Sequence, residues 1–409
     1  MGRQLSFCSV TYTRRKPTPR VSRELIIQLL AESGRLTRAE LARRIGISRA
    51  AVSMTVTRLM SDGLVIESQE SLQTKDSATA GVPLTLNPIA GGAVGVDFAH
   101  ERLRVLVANL AHQVLAEETF ELPLDYDVSV AMDLAAKSVL NLIERSGLER
   151  DRVLGVGLGV PGPVDQQRGR PTPSSISSNW VDVDVKREFH DRIDLPVLLD
   201  NNANLGALAE VMWGAAQGHS DVVYLKVGTG IGAGLILGGK PWRGVAGAGG
   251  EIGHMIIDET GPLCRCGNRG CLEVYVGISA QLRLLAPVFG EEVSENQLLS
   301  LAAQGDRRCQ RLFSDVGRML GTALASVCNI VNPGLIVLGG ELARAFDLVY
   351  KSVREAIDVH ALHLAANSVE IVAGQLGDRS EALGGAALVF HEGTLPMAYA
   401  NNHDEVARR

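Results

Sequence analysis

The chain is poor in cysteine, with six in 409 residues, which leaves a disulfide framework out of account. It has no apolar run approaching the ~18 residues that a membrane-spanning helix needs. Its start, MGRQLSFCSVTYTRRKPTPR, lacks the apolar core of a secretory signal peptide. Together these absences predict a cytoplasmic protein with no membrane partner. Thiols stay reduced in that compartment, so cysteines standing close together are read as metal ligands. Three of the six fall within eight positions, Cys264, Cys266 and Cys271, while Cys8, Cys309 and Cys328 are isolated.

What is present points to two or three domains, since 409 residues exceed one ordinary core. A hydrophobic content of 46% with 21% charged residues is that of a globular chain, and 44 glycines imply many tight turns or phosphate-type loops. The net charge of −6 is unevenly spread. Residues 1–62 carry twelve Lys and Arg against four acids, or +8, leaving −14 for the rest. A basic head on an acidic body fits a polyanionic partner for the head alone. A solvated basic tail would give the same count, so the pattern of the head must decide.

A basic tail, 1–20, precedes the first helical pattern. In VSRELIIQLLAES, Leu25, Ile26, Leu29 and Leu30 share one face, and Gly34 ends the helix. Thr37 and Glu40 then stand at capping-box spacing, so a second helix starts there with Leu41, Ala42 and Ile45 inward. Gly46 makes a tight turn. Ser48 caps a third helix with the apolar stripe Val52, Val56, Leu59 and Met60. This is helix–turn–helix spacing. Val65–Ile66 and Leu84 with Leu86 read as two strands around a polar loop, which makes residues 21–88 a winged helix. Ala50, Ser53, Met54, Thr57 and Arg58 point away from the stripe. Small and hydroxyl side chains there allow close approach to a major groove. Arg58 can reach a phosphate, and Arg49 a base edge. The candidate DNA-contacting set is Ser48, Arg49, Ala50, Ser53, Thr57 and Arg58. A three-helix protein-interaction module is the competing reading. Basic charge, turn spacing and wing together favour DNA.

After Pro88 the texture changes. GGAVGVDFAHERLRVLVANLAHQVL reads as a hairpin, and VLGVGLGVPGPVD as a buried strand entering a Gly/Pro loop. PVLLDNNANLGALAEVMWG reads as strand, polar turn and a helix from about Ala203. VVYLKVGTGIGAGLILGGKPW is a second glycine-bent hairpin, and a long helix leads to the strand LIVLGGEL. Alternating strands and helices make residues 89–395 an α/β body, large enough for two lobes with a cleft between them. The two hairpins point to an internal duplication. Residues 396–409 are left as a C-terminal tail.

The stretch VGTGIGAGLILGGKPWRGVAGAGGEIGHM followed by CRCGNRGCLE resembles the ROK family of repressors and sugar kinases, over about residues 90–390. With the winged helix in front, the whole chain resembles that family's transcriptional regulators. The resemblance implies a two-lobed α/β fold of the actin-like ATPase type. C-x-C-x4-C with His254 as fourth ligand gives a closed Cys₃His set, and so a structural zinc ion, one per chain. By resemblance, the metal fixes the His254 ring so that its other nitrogen meets sugar hydroxyls. The resemblance further implies Gly162, Asn179, Asn201, Asn202, Glu251, His254 and Glu273 as the sugar-binding set.

The kinase pattern fails at two places. A family kinase has a proton-accepting Asp in the turn that here reads DNNAN, with Asn202 at its position. Loss of a general base costs ~10²–10⁴-fold. Where the kinases read D-x-G-G-T, this chain has DFAHE, Asp97 to Glu101, without either glycine and with an added negative charge. The second loop, Gly228 to Gly234, is intact, as hairpin geometry inherited with the fold. No catalytic residue is therefore assigned. In the wing, Val82 replaces an Arg common before the Pro in family regulators, and Lys75 is the nearest base. The reading is a sugar-responsive regulator, a repressor by resemblance, with operator DNA and a sugar as ligands and a homodimer or homotetramer as its assembly. The alternatives are an active sugar kinase with a regulatory head, and a DNA-binding protein whose body only oligomerises.

Overall fold

A computed structural model describes residues 23–392, apart from 24, 28, 31–32, 69–80, 124–125, 173–179, 181–182 and 290–292. The chain divides into two compact units, Met1–Ala90 and Gly91–Arg409.

In the first unit the described residues between 23 and 33 are helical, with Ile26, Ile27 and Leu30 buried. The buried face is thus turned one residue from the predicted one, and Leu25 and Leu29 lie at its edge. Helix α1 (Arg38–Ile45) begins at the expected capping box: Thr37 accepts from the Glu40 backbone and Glu40 from that of Thr37. Such a cap stabilises a helix by about 1 kcal/mol. Leu41 and Ala42 are its buried residues, and Ile45 is only partly covered. Gly46 turns the chain in the left-handed region, at φ 76°. Helix α2 (Arg49–Ser61) is capped by Ser48 and buries Val52, Val56 and Leu59. Strands β1 (Val65–Glu67) and β2 (Leu84–Leu86) pair antiparallel, Val65 opposite Leu86. Residues 69–80 of the polar loop between them, including Lys75, lie outside the described residues.

Among its described residues the second unit holds two five-stranded sheets of the same order. The first is β3 (Gly92–Phe98), β4 (Arg102–Asn109), β5 (Val114–Glu121), β6 (Val153–Val160) and β9 (Val197–Asn201). The short pair β7 (Val164–Asp165) and β8 (Arg170–Pro171) stands outside it. The second is β10 (Val222–Val227), β11 (Ile231–Leu237), β12 (Lys240–Pro241), β13 (Leu335–Gly340) and β14 (Glu370–Ala373). Each sheet runs third, second, first, fourth, fifth strand across its width. In each, the first three strands form an antiparallel meander and the last two add in parallel. The duplication seen in the two hairpins therefore extends to the whole lobe. The third strand β5 runs to Glu121, beyond the predicted hairpin.

Helix α3 (Val128–Ser146) packs on β4 and β5, and α4 (Val185–Ile193) on β9. Two further helices lie between the lobes. Helix α5 (Asn202–Trp213) lies against β10 and β11, and the C-terminal helix Ser380–Glu392 against β3 and β6, and they pack on each other. The approach is close: a Cβ on Gly95 or Gly157 would collide with the helix backbone at Ala382 and Gly385. The other helices among the described residues are α6 (Glu273–Val276), α7 (Ile278–Phe289), α8 (Glu295–Ala303), α9 (Arg307–Val331), α10 (Phe346–His360) and α11 (His363–Ser368), and the interlobe helix Ser380–Glu392 is α12. No helix among the described residues is long and apolar enough to cross a membrane.

Candidate functional site

Strands β3, β6, β9, β10 and β13 all deliver their carboxyl ends to one cleft, where open α/β folds place ligands. On one side stand Gly162, Asn201 and Asn202; opposite are Glu251, His254, Arg265 and Glu273. Six of the seven sugar-set residues are thus brought together. The seventh, Asn179, lies outside the described residues.

Their roles differ. Asn201 uses both ends of its amide within the protein. Its Oδ1 accepts from Ala203 N at 2.7 Å, capping α5, and its Nδ2 donates to Gly162 O at 2.8 Å. It fixes the turn that carries Asn202, the first residue of α5. The helix thus begins one residue before the predicted Ala203. Glu273 accepts from Ile231 N at 2.9 Å and from Arg265 at 2.9 Å through both Nε and Nη2. It ties the second glycine hairpin to the cysteine loop. Burial, then the neighbouring Glu273, pushes the Glu251 carboxyl up to about 7, against the opposing pull of Arg265. The Glu251 carboxyl can therefore donate or accept a hydrogen bond near neutrality.

His254, Cys264, Cys266 and Cys271 bring one donor atom each within 4.8 Å of the others. The Sγ atoms of Cys266 and Cys271 are 3.6 Å apart, close to the ~3.8 Å edge of a tetrahedron with Zn–S near 2.3 Å. His254 turns Nδ1 toward Cys264 Sγ, 3.6 Å away, and Nε2 toward Glu251, 3.9 Å away. Three thiols and one imidazole fit a closed zinc site and leave no open position for water. A left-handed backbone at Gly267 and Gly270, φ 93° and 64°, lets the loop curl as its spacing requires. One ring nitrogen is thus directed at the metal set and the other at the cleft.

Three charged residues escaped sequence reasoning. Arg265 sits inside the C-R-C motif, where the cysteines drew attention from it. Lys226, a lone charge in the apolar strand β10, was the clearest available signal. It lies 3.4 Å from Glu381. Burial opposes its charge, but Glu381, Asp97 and Glu341 outweigh burial and hold its pKa above the ordinary value. Asp97, at the end of β3, is pushed up to about 6 by burial; Lys226 lowers it and Glu381 raises it. The third residue, Arg243, binds Asp200 at 2.6 Å and Glu392 at 2.7 Å. Asp200 also accepts from Asn201 N and Asn204 Nδ2, at 2.7 and 2.9 Å. It is 1% exposed and is not among the residues lining the cleft.

On α2, Arg49, Ala50, Thr57 and Arg58 are exposed and Ser53 partly so. Met54 is 73% exposed. Ser48 spends its hydroxyl on the cap, accepting from Ala51 N at 3.2 Å. Val82 in the wing is exposed.

Residues 22–66 match a winged helix-turn-helix DNA-binding family, and residues 93–392 match the ROK family. The xylose repressor of Bacillus spizizenii is 30% identical over 91% of this chain and 95% of its own length. The glucokinase of Thermotoga maritima is 32% identical, over 57% of this chain and 78% of its own. The crystal structure of a ROK family transcriptional regulator, a homologue of the Escherichia coli Mlc protein, superposes with a TM-score of 0.74 at 24% identity. It covers 91% of this chain and 96% of that one, and shares the fold. With its winged head, duplicated α/β lobes and Cys₃His loop, the chain belongs to the ROK family.

Proposed function

We propose that this protein is a sugar-responsive transcriptional regulator, a repressor like its named relative. It binds operator DNA through α2 and a sugar in the cleft, and it does not phosphorylate the sugar. The observation that carries this reading is Asn202. It stands at the cleft where a kinase needs a carboxylate, while Gly162, Glu251, His254 and Glu273 still line the sugar side. An amide hydrogen-bonds a hydroxyl but cannot take its proton. Asp200 does not replace the missing base, because Arg243 and Asn204 hold its carboxylate away from the cleft.

A zinc ion held by His254, Cys264, Cys266 and Cys271 would supply structure and not chemistry, anchoring the His254 ring by one nitrogen. The ring's other nitrogen, Glu251 and Asn202 then bind and orient hydroxyls. A sugar that favours one lobe closure moves the equilibrium only by its differential affinity for the two closures. Reading of paired half-sites by two heads makes a homodimer or homotetramer the working assembly.

The kinase alternative is opposed a second time by the Asp97–Glu101 turn, which carries Ala99 and His100 where two glycines would wrap a phosphate. Calorimetry with a sugar panel, run beside an ATP-consumption assay, tests the proposal. Binding without consumption supports it, and turnover overturns it.

A further inference from the structure

The charges in the cleft separate two kinds of sugar ligand. Its lining residues include three cations, Arg102, Lys226 and Arg265, against five carboxylates. Each cation already holds an acid. Arg265 is bonded twice to Glu273. Lys226 lies 3.4 Å from Glu381 and feels Asp97 behind it. Arg102 donates Nη1 to Asp378 at 3.0 Å. Two carboxylates form no salt bridge to a Lys or Arg among the described residues, Glu251 and, beside Gly228, Glu341, and Arg265 and Lys226 act on them only at longer range. The His100 imidazole at the same cleft is a poor partner for an anion, because burial, then Arg265 and Lys226, lowers its pKa and disfavours the charged ring.

A phosphoryl group entering this cleft would find each of the three cations already engaged with an acid, in a lining of five acids against three cations. Hydroxyls meet the opposite situation. Carboxylates and amides accept and donate to them with no change in charge. Resting on the reading of the cleft as a sugar site, we infer that the effector is an uncharged sugar and that the cleft rejects its phosphate ester. The discrimination comes from the excess of acid, with Glu341, which forms no salt bridge among the described residues, its contributor outside the sugar-binding set. Arg102 keeps one buried Nε without a hydrogen-bond partner, which makes it the cation to vary in the test.

The test is isothermal titration of the full-length chain with D-xylose, D-glucose and N-acetyl-D-glucosamine, each beside its terminal phosphate ester. At least one free sugar should bind, and its ester should bind about 100-fold more weakly or worse, as expected when like charges are juxtaposed. Glu341→Gln should leave the free sugar's affinity unchanged and raise that of the ester by about tenfold, as removal of one nearby like charge would. An ester that binds as well as or better than its parent overturns the inference and leaves the sugar-site reading standing. So does a Glu341→Gln variant with unaltered discrimination. Loss of ester binding in Arg102→Ala would then identify the group that receives the phosphate. If neither sugars nor esters bind, the sugar-site reading fails and the inference falls with it.

Discussion

Arg243 Nε lies 2.6 Å from Asp200 Oδ2, and the pair joins the two loops that face each other across the cleft. Asp200 ends β9 immediately before Asn201 and Asn202. Arg243 follows β12 on the strand-to-loop path that leads to Glu251. Its second arm reaches Glu392 at the end of α12, 2.7 Å away. One guanidinium therefore holds the loop that follows β9, its own loop after β12 and the helix between the lobes. Arg243→Met would leave Asp200 buried without its cation. Removing one partner of a buried pair costs about 3–5 kcal/mol. Urea unfolding should show a loss toward the lower end, since Arg243 retains some exposure, and sugar affinity should fall with it. Unchanged stability would mean the pair is replaceable by water.

The metal set makes a second prediction. Purified protein should carry about one zinc per chain, and Cys271→Ser should lose metal and sugar affinity together. The coupling follows from His254, which faces Cys264 with Nδ1 and Glu251 with Nε2. Metal analysis and calorimetry on the same sample check it. Metal-free protein with full sugar affinity would break the link.

DNA binding should divide along α2. Arg58→Ala should weaken binding about evenly across sequences and reduce the salt slope by about one, as for a phosphate contact. Arg49→Ala, at the helix start, should instead change which sequences are preferred. Anisotropy titrations at several salt concentrations separate the two effects. A sequence-specific loss at Arg58 would reverse the assignments.

Asp97 supplies a pH dependence. Its pKa rises from 3.8 to about 6 on folding, so the folded chain keeps a proton that the unfolded chain releases. That contribution to stability is complete below pH 3.8 and is lost as pH rises through about 6. Asp97→Asn should therefore gain stability relative to wild type as pH rises over that interval. Denaturation of both proteins at pH 4 and pH 7 gives the difference, and a difference of the opposite sign would place Asp97 in a stabilising charged pair with Lys226.

Local signals were legible wherever one residue type had one physical use. Thr37 with Glu40 gave a capping box, and the two glycine-bent stretches gave hairpins. The cysteine spacing gave a donor cluster with His254 ten residues earlier. The Asp97–Glu101 and Asn202 departures were also legible, because they are substitutions within a recognisable motif. Long-range pairings were not. Nothing in the sequence joins Arg243 to Asp200 and Glu392, or Lys226 to Glu381, since partners far apart in the chain meet only when the lobes form. The same limit applies to Asn201 and Glu273. Their types fit hydroxyl binding, while the structure shows that each is already bonded to neighbouring backbone or to Arg265.

The central claim is that the cleft senses a sugar and does not transform it. It is tested most directly by measuring DNA affinity and sugar phosphorylation in one sample. The full-length chain is titrated with DNA selected by the protein from a random library, with Mg-ATP present, with and without the sugar found by calorimetry. The account predicts that the sugar shifts the DNA Kd, that DNA shifts the sugar Kd by the same factor, and that no sugar phosphate accumulates. Sugar phosphate formed by the unmodified protein, with a DNA Kd indifferent to bound sugar, would contradict it.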